Sequence, residues 1–191
     1  SLFSLVVLES LVQLEKFFEI KEEIGFKDAT LYLNVSAHTI MHPEFCSIFT
    51  DFVEKHQLAP NQFGLEVTET AELADINVAS ESLRILKGKG IKIALDDFGA
   101  GYASLKYVRD LPIDVVKLDK HFTFNVSDAS TARLISFVSE VCEDLQLEMI
   151  GEGIETEDDK KMMLDLGCKI GQGYLMHRPD FLDSFKTKET R

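Results

Sequence analysis

Carboxylate and amide side chains recur in this sequence where short, strand-like apolar segments end. Oxygen-rich sets of this kind, without a cluster of Cys or His, suit hard cations such as Mg²⁺ or Mn²⁺. The five histidines form no zinc-ligand pattern. The residues at or near these strand ends, with the one cation among them, are Asn34, Glu66, Glu69, Asp96, Asp97, Lys117, Asp119, Glu152, Glu155 and Gln172. Together they predict a metal centre, although Asp and Glu taken singly also serve as ordinary caps and turn residues.

The adjacent pair Asp96 and Asp97 is the most informative part of this pattern. Neighbouring residues of a strand point to opposite faces, so both side chains reach one site only where the strand ends and bends. A doublet placed in this way would allow two ions to be bridged, as two-metal phosphodiester chemistry requires.

Lys117 stands among these acids. A lone buried ammonium is poorly tolerated, so Lys117 is expected to pair with carboxylates. Such a lysine would hold an attacking water or a phosphate oxygen. A purely structural ion pair is the alternative.

Apolar segments rich in Ile, Val and Leu alternate with helical patterns along the whole chain. Strands are predicted over 31–36, 64–68, 91–97, 113–119, 148–152 and 169–174, and helices over 2–24, 43–57, 77–89, 102–110, 128–145 and 156–166. This alternation indicates an α/β fold with a parallel sheet covered on both faces, and both a doubly wound sheet and a barrel fit it. In a barrel the carboxyl ends of the strands share one face, where the polar residues would converge.

Composition narrows the possible functions. The 191 residues are 45% hydrophobic, which suits one domain over 1–191. A net charge of −13 argues against binding a nucleic-acid polymer, but a small phosphodiester remains compatible if a metal reverses the local charge. No apolar stretch approaches the ~20 residues of a membrane span. Three widely spaced cysteines suggest a reducing compartment, the cytoplasm, where the chain would be either a separate protein or the cytoplasmic part of a larger, membrane-anchored one.

Six motifs in order resemble the EAL domain family over nearly the whole chain. They are Leu33-Asn34-Val35-Ser36, Leu65-Glu66-Val67-Thr68-Glu69, Asp96-Asp97-Phe98-Gly99 followed by Gly101-Tyr102, Lys117-Leu118-Asp119, Glu152-Gly153-Ile154-Glu155-Thr156, and Gln172-Gly173-Tyr174 with Arg178-Pro179. Each motif alone is weak, but the order and spacing are specific. An unrelated metal-dependent barrel hydrolase would require this order to be coincidental.

The resemblance implies a TIM-like (β/α)8 barrel that hydrolyses cyclic di-GMP to linear pGpG with two Mg²⁺ or Mn²⁺ ions. It implies metal ligands (Asn34, Glu66, Asp96, Asp97), a lysine that positions the nucleophilic water (Lys117), and a metal-centre residue or general base (Glu152). It also implies residues that orient water and loops (Glu155, Gln172) and supporting acids (Glu69, Asp119). The loop containing Gly99, Gly101 and Tyr102 would couple metal binding to dimerisation. Ala100 and Ala103 replace the hydroxyl residues usual in that loop, which puts this coupling in question.

The family pattern begins with two strands and a helix that precede anything seen here, including a Glu-x-Leu signature whose glutamate is a metal ligand. The expectation is therefore an incomplete barrel of about six β/α units, with weakened metal affinity and unpaired sheet edges. Such edges predict a homodimer, or contact with a missing N-terminal segment or a neighbouring signalling domain. The alternative function is a catalytically inactive module that binds cyclic di-GMP or a protein partner as a regulator.

Overall fold

A computed structural model describes residues 2–21, 29–59, 62–68, 75–100 and 104–181. Glu69, Gly101, Tyr102 and Ala103 lie outside these ranges. The strands are β1 (Leu31–Val35), β2 (Phe63–Thr68), β3 (Lys92–Phe98), β4 (Val115–Leu118), β5 (Glu148–Gly151) and β6 (Ile170–Gly171). The helices are α1 (Leu2–Ile20), α2 (Ala37–Ile40), α3 (Phe45–Lys55), α4 (Ile76–Gly88), α5 (Ser104–Asp110), α6 (Lys120–Phe124), α7 (Ala129–Asp144) and α8 (Glu157–Asp165).

The six strands form one parallel sheet in the order β1-β2-β3-β4-β5-β6. Helices occupy the connections, so the architecture is an incomplete α/β barrel, as predicted. The register places Asn34 opposite Glu66 and Thr68 opposite Asp96. The carboxyl ends of all strands therefore lie along one edge, with β1 and β6 at the two sides of the described sheet.

The core lies between the sheet and its surrounding helices. Alternate strand residues such as Leu65, Ile93 and Leu95 are fully buried, because every second side chain of a strand faces the helix layer. Helix α3 contributes Phe49, whose ring centroid lies 6.0 Å from that of Phe63 on β2. Among the described residues, no helix is long and apolar enough to cross a membrane.

The structure differs from the prediction in its short elements. Two single-turn helices, α2 and α6, were not anticipated. The last strand is only two residues long, because the chain turns at once: the amides of Met176 and His177 both donate to the carbonyl of Gly173. The predicted strand over 169–174 is therefore too long at both ends, and its last two residues, Gly173 and Tyr174, belong to a bend and a turn.

Gly173 is required by close packing at this turn. A Cβ on Gly173 would overlap the carbonyl oxygen of Ile154, a backbone atom that cannot easily move. We expect Gly173→Ala to lower the free energy of unfolding by about 2 kcal/mol or more. Gly88→Ala is the control, because a Cβ there meets nothing within 4 Å and alanine favours the helix. Denaturant titration of both variants checks this, and equal stabilities would contradict the packing argument.

Candidate metal centre

Three carboxylates converge at the carboxyl edge of the sheet. Asp96, Asp97 and Glu152 each offer an oxygen, and these oxygens all lie within 4.8 Å of one another. Asp96 is buried and the other two are half-buried. In the part of the chain that the structure describes, this is the one group of three or more acidic, His or Cys side chains close enough to hold an ion.

A β-bulge brings Asp96 and Asp97 to the same site. Leu95 pairs with Val116 and Phe98 pairs with Leu118, so two residues of β3 lie opposite one residue of β4. Asp97 has a φ of 55°, a left-handed conformation that Asp tolerates better than most residues. The strand thus bends at the doublet, in agreement with the expectation from sequence.

Gly99 continues this bend. Its φ is 93°, and a Cβ there would overlap the ring of Phe122, so the position requires glycine. Downstream of the bulge, the amide of Asp119 donates to the carbonyl of Phe98 at 3.2 Å. The ends of β3 and β4 are therefore fixed to each other beside the acidic group.

Lys117 lies at the centre of the acidic residues, with its side chain only 4% exposed. Its Nζ is 2.7 Å from Asp96 Oδ1, 2.8 Å from Glu152 Oε1 and 3.0 Å from Glu66 Oε2. Burial opposes the charged ammonium, but hydrogen bonds to Asp96 and Glu152 and the charge of Glu66 hold the pKa of Lys117 above its ordinary value. The charged form of Lys117 is therefore favoured.

One ammonium does not balance the carboxylates around it. Burial raises the pKa of both Glu66 and Glu152, and the Lys117 charge only partly offsets this. Nearby acids raise the pKa of both glutamates further. The site thus favours an additional positive charge, and its oxygen donors fit a hard divalent cation.

Asn34 lies on β1 directly opposite Glu66, so the two side chains share one face of the sheet. It is exposed, in contrast to Asp96 and Lys117, because β1 is the outermost strand on that side. The structure therefore places Asn34 on the strand next to the one that carries Glu66.

Glu155 and Gln172 lie with Glu152 around a cavity of about 220 Å³ next to the acidic group. Both are exposed. The main chain of Gln172 is fixed on both sides: its amide donates to Gly151 and its carbonyl accepts from the amide of Ile154. The amide of Glu155 donates to Asp159, within the capping box that begins α8.

Asp119 caps α6 and does not join the acidic group among Asp96, Asp97 and Glu152. Its Oδ1 accepts from the amide of His121 at 2.8 Å and contacts Nδ1 of the same residue.

Thr123, also on α6, is a residue of the site that sequence reasoning missed. Its hydroxyl donates to the carbonyl oxygen of Glu152 at 2.5 Å, and its side chain is buried. No local sequence signal identifies this contact, because 29 residues separate the two positions.

Comparison with known proteins agrees with this geometry. Residues 1–179 match the sequence model of the EAL domain. The bifunctional diguanylate cyclase/cyclic di-GMP phosphodiesterase MucR of Pseudomonas aeruginosa is 33% identical over 156 residues, which are 81% of this chain and 23% of that protein. The chain therefore belongs to the EAL domain family. It spans only about a quarter of the length of the first curated relatives it matches.

Solved structures of EAL-type proteins are also similar to this chain. The PaMucR phosphodiesterase in complex with c-di-GMP superposes with a TM-score of 0.82 and 29% identity, covering 95% of this chain and 75% of that one. A manganese/cy-diGMP complex of BlrP1 from Klebsiella pneumoniae has a TM-score of 0.76 and 26% identity, covering 86% and 43% of the two chains.

Proposed function

We propose that this domain hydrolyses cyclic di-GMP to the linear dinucleotide pGpG. The observation that carries the proposal is the placement of Lys117 within 3.0 Å of three carboxylates at the carboxyl edge of the barrel. That edge is where barrel enzymes place their active sites. Membership of the EAL family, and relatives named as cyclic di-GMP phosphodiesterases or solved with that ligand, support the same substrate.

Two Mg²⁺ or Mn²⁺ ions are the proposed cofactors, held by Asn34, Glu66, Asp96 and Asp97. The manganese in the BlrP1 complex supports this choice. When bound, such ions supply charge stabilisation for the attacking and leaving oxygens of a phosphodiester. The oxygens of Asp96 and Asp97 lie within 4.8 Å of each other and of an oxygen of Glu152, which supports shared ligation at this point.

Lys117 and Glu152 are the proposed catalytic residues. Lys117 stays charged, so it cannot accept a proton and serves to hold the attacking water and a phosphate oxygen. Glu152 is better suited to accept the proton of that water, since burial raises the pKa of its carboxyl. The water oxygen bonds to phosphorus as its proton passes to Glu152, one phosphodiester P–O bond breaks, and the departing sugar oxygen takes up a proton from solvent.

The remaining predicted residues have supporting roles in this proposal. Glu155 and Gln172 border the cavity next to Glu152, where they would orient water and substrate. Asp119 supports the end of β4 through α6, and Glu69 is proposed to support the end of β2. The loop of Gly99, Gly101 and Tyr102 is proposed to respond to metal binding.

Turnover of the purified chain tests this function. The chain is incubated with cyclic di-GMP and Mn²⁺ or Mg²⁺, and the linear dinucleotide is sought by chromatography, with Asp96→Asn as the control for contaminating enzyme. Product that forms with the unmodified chain, but not with Asp96→Asn, supports hydrolysis by this domain. Saturable binding of cyclic di-GMP without product contradicts it and favours the inactive regulatory module.

We also propose that the domain self-associates or contacts flanking polypeptide through its sheet edges. The side chains of α1 and β1, including Leu14, Phe17 and Leu33, line an open, largely apolar groove of about 330 Å³ at one edge. We further propose a cytoplasmic location for the domain. The three cysteines of the chain are free thiols, which supports this proposal.

For the isolated chain this proposal predicts a dimer in sedimentation velocity at micromolar concentration. The proportion of dimer should fall when Leu33→Glu places a charge in the groove. A strictly monomeric chain at all concentrations would contradict self-association.

A further inference from the structure

Helix α6 contacts both the end of β4, the strand that carries Lys117, and Glu152, the residue that follows β5. Its first turn is capped by Asp119 at the end of β4, through the amide of His121. Its last turn reaches the residue that follows β5 through the hydroxyl of Thr123, which donates to the main-chain carbonyl of Glu152. One short helix therefore fixes the spacing between the two strand ends.

The Thr123 contact lies in the interior, where a hydrogen bond fixes position most strictly. Only 1% of Thr123 is exposed. The Glu152 amide donates to Leu118, so the main chain of Glu152 is held on both of its polar groups, one by β4 and one by α6. A carboxylate attached to such a main chain has few ways to move away from Lys117.

We propose that Thr123 is a positioning residue that sets the location of the Glu152 carboxylate in the metal and catalytic site. This inference rests on the proposed function and adds a residue to it. Thr123 touches neither metal nor substrate; it acts through the main chain of Glu152. Residues that orient a site in this way commonly change metal affinity or activity by about 10–100-fold when removed.

Thr123→Val tests the inference, because it removes the hydroxyl and keeps the shape. Ser80→Ala is the matched control: Ser80 is also buried, and its hydroxyl also donates to a distant main-chain carbonyl, that of Asp110 at 3.0 Å. Thr123→Ser restores a hydroxyl. The readouts are thermal stability, Mn²⁺ affinity by calorimetry, and kcat with KM for cyclic di-GMP at saturating Mn²⁺.

We expect both hydroxyl-removing variants to melt at a lower temperature than the unmodified chain. Only Thr123→Val should also lose about tenfold or more in Mn²⁺ affinity and in kcat, with KM little changed, and Thr123→Ser should recover most of both. A Thr123→Val protein that loses stability alone, as Ser80→Ala does, would show a merely structural role and overturn the inference.

The two proposals fail in different ways. An unmodified chain that binds Mn²⁺ but yields no dinucleotide would count against hydrolysis alone, since the Mn²⁺ titration still compares Thr123→Val with Ser80→Ala. An unmodified chain that binds no Mn²⁺ would overturn the positioning role as well, because no metal site would then depend on Glu152.

Discussion

Asp96→Asn should lower kcat/KM for cyclic di-GMP by about a hundred- to a thousandfold. The substitution keeps the shape of the side chain but removes the charge of the most buried acid in the group. It also weakens the 2.7 Å contact to Lys117, which loses a charged partner. Both the affinity for a divalent cation and the alignment of the ammonium should decline.

Initial rates measured across a Mn²⁺ titration check this expectation. Asp51→Asn is the control, since Asp51 is exposed on α3 and is not part of the acidic group. If Asp96→Asn turned over substrate at the unmodified rate, Asp96 would have no role in the reaction.

Lys117→Met should have the largest effect on stability. Glu66, Asp96 and Glu152 would keep their partly buried carboxylates without the ammonium they share. Breaking a buried ion pair by removing one partner typically costs about 3–5 kcal/mol, because an uncompensated charge remains. Turnover should also be lost, since the residue proposed to hold the attacking water is gone.

Added Mn²⁺ should restore much of the lost stability of Lys117→Met, because a cation bound by the same carboxylates replaces the missing charge. Denaturant unfolding with and without Mn²⁺ measures this. Lys160→Met is the matched control: Lys160 pairs with Glu157 on the exposed face of α8, where an ion pair contributes about 0–1 kcal/mol. Equal losses in the two variants would mean that Lys117 does not hold the carboxylates together.

The strand and helix pattern was readable from sequence because it depends on local spacing. Apolar runs marked the strands, and the convergence of their carboxyl ends followed from parallel pairing. The bend at Asp96 and Asp97 was also predictable, because two adjacent acids on a straight strand cannot face one site. The structure shows how the strand bends: Asp97 adopts a left-handed conformation within a β-bulge.

The contacts that fix the position of the site residues could not be predicted from the sequence. Thr123 meets Glu152 across 29 residues, and nothing in the composition of a five-residue helix indicates such a partner. Similarly, the last strand was predicted too long, because the tight approach of Gly173 to Ile154 depends on a loop elsewhere in the chain. Distances of this kind come from tertiary packing, which a local pattern does not encode.

The ammonium of Lys117 gives the acidic site its own counterion. Many small metal proteins fold only when the ion arrives, since nothing else neutralises their ligands. Here the carboxylates are already partly neutralised by a residue of the same chain, so newly made protein should reach its folded form before any ion is captured. The metal supply would then govern how many molecules carry an ion, while the chain would not need the ion to fold.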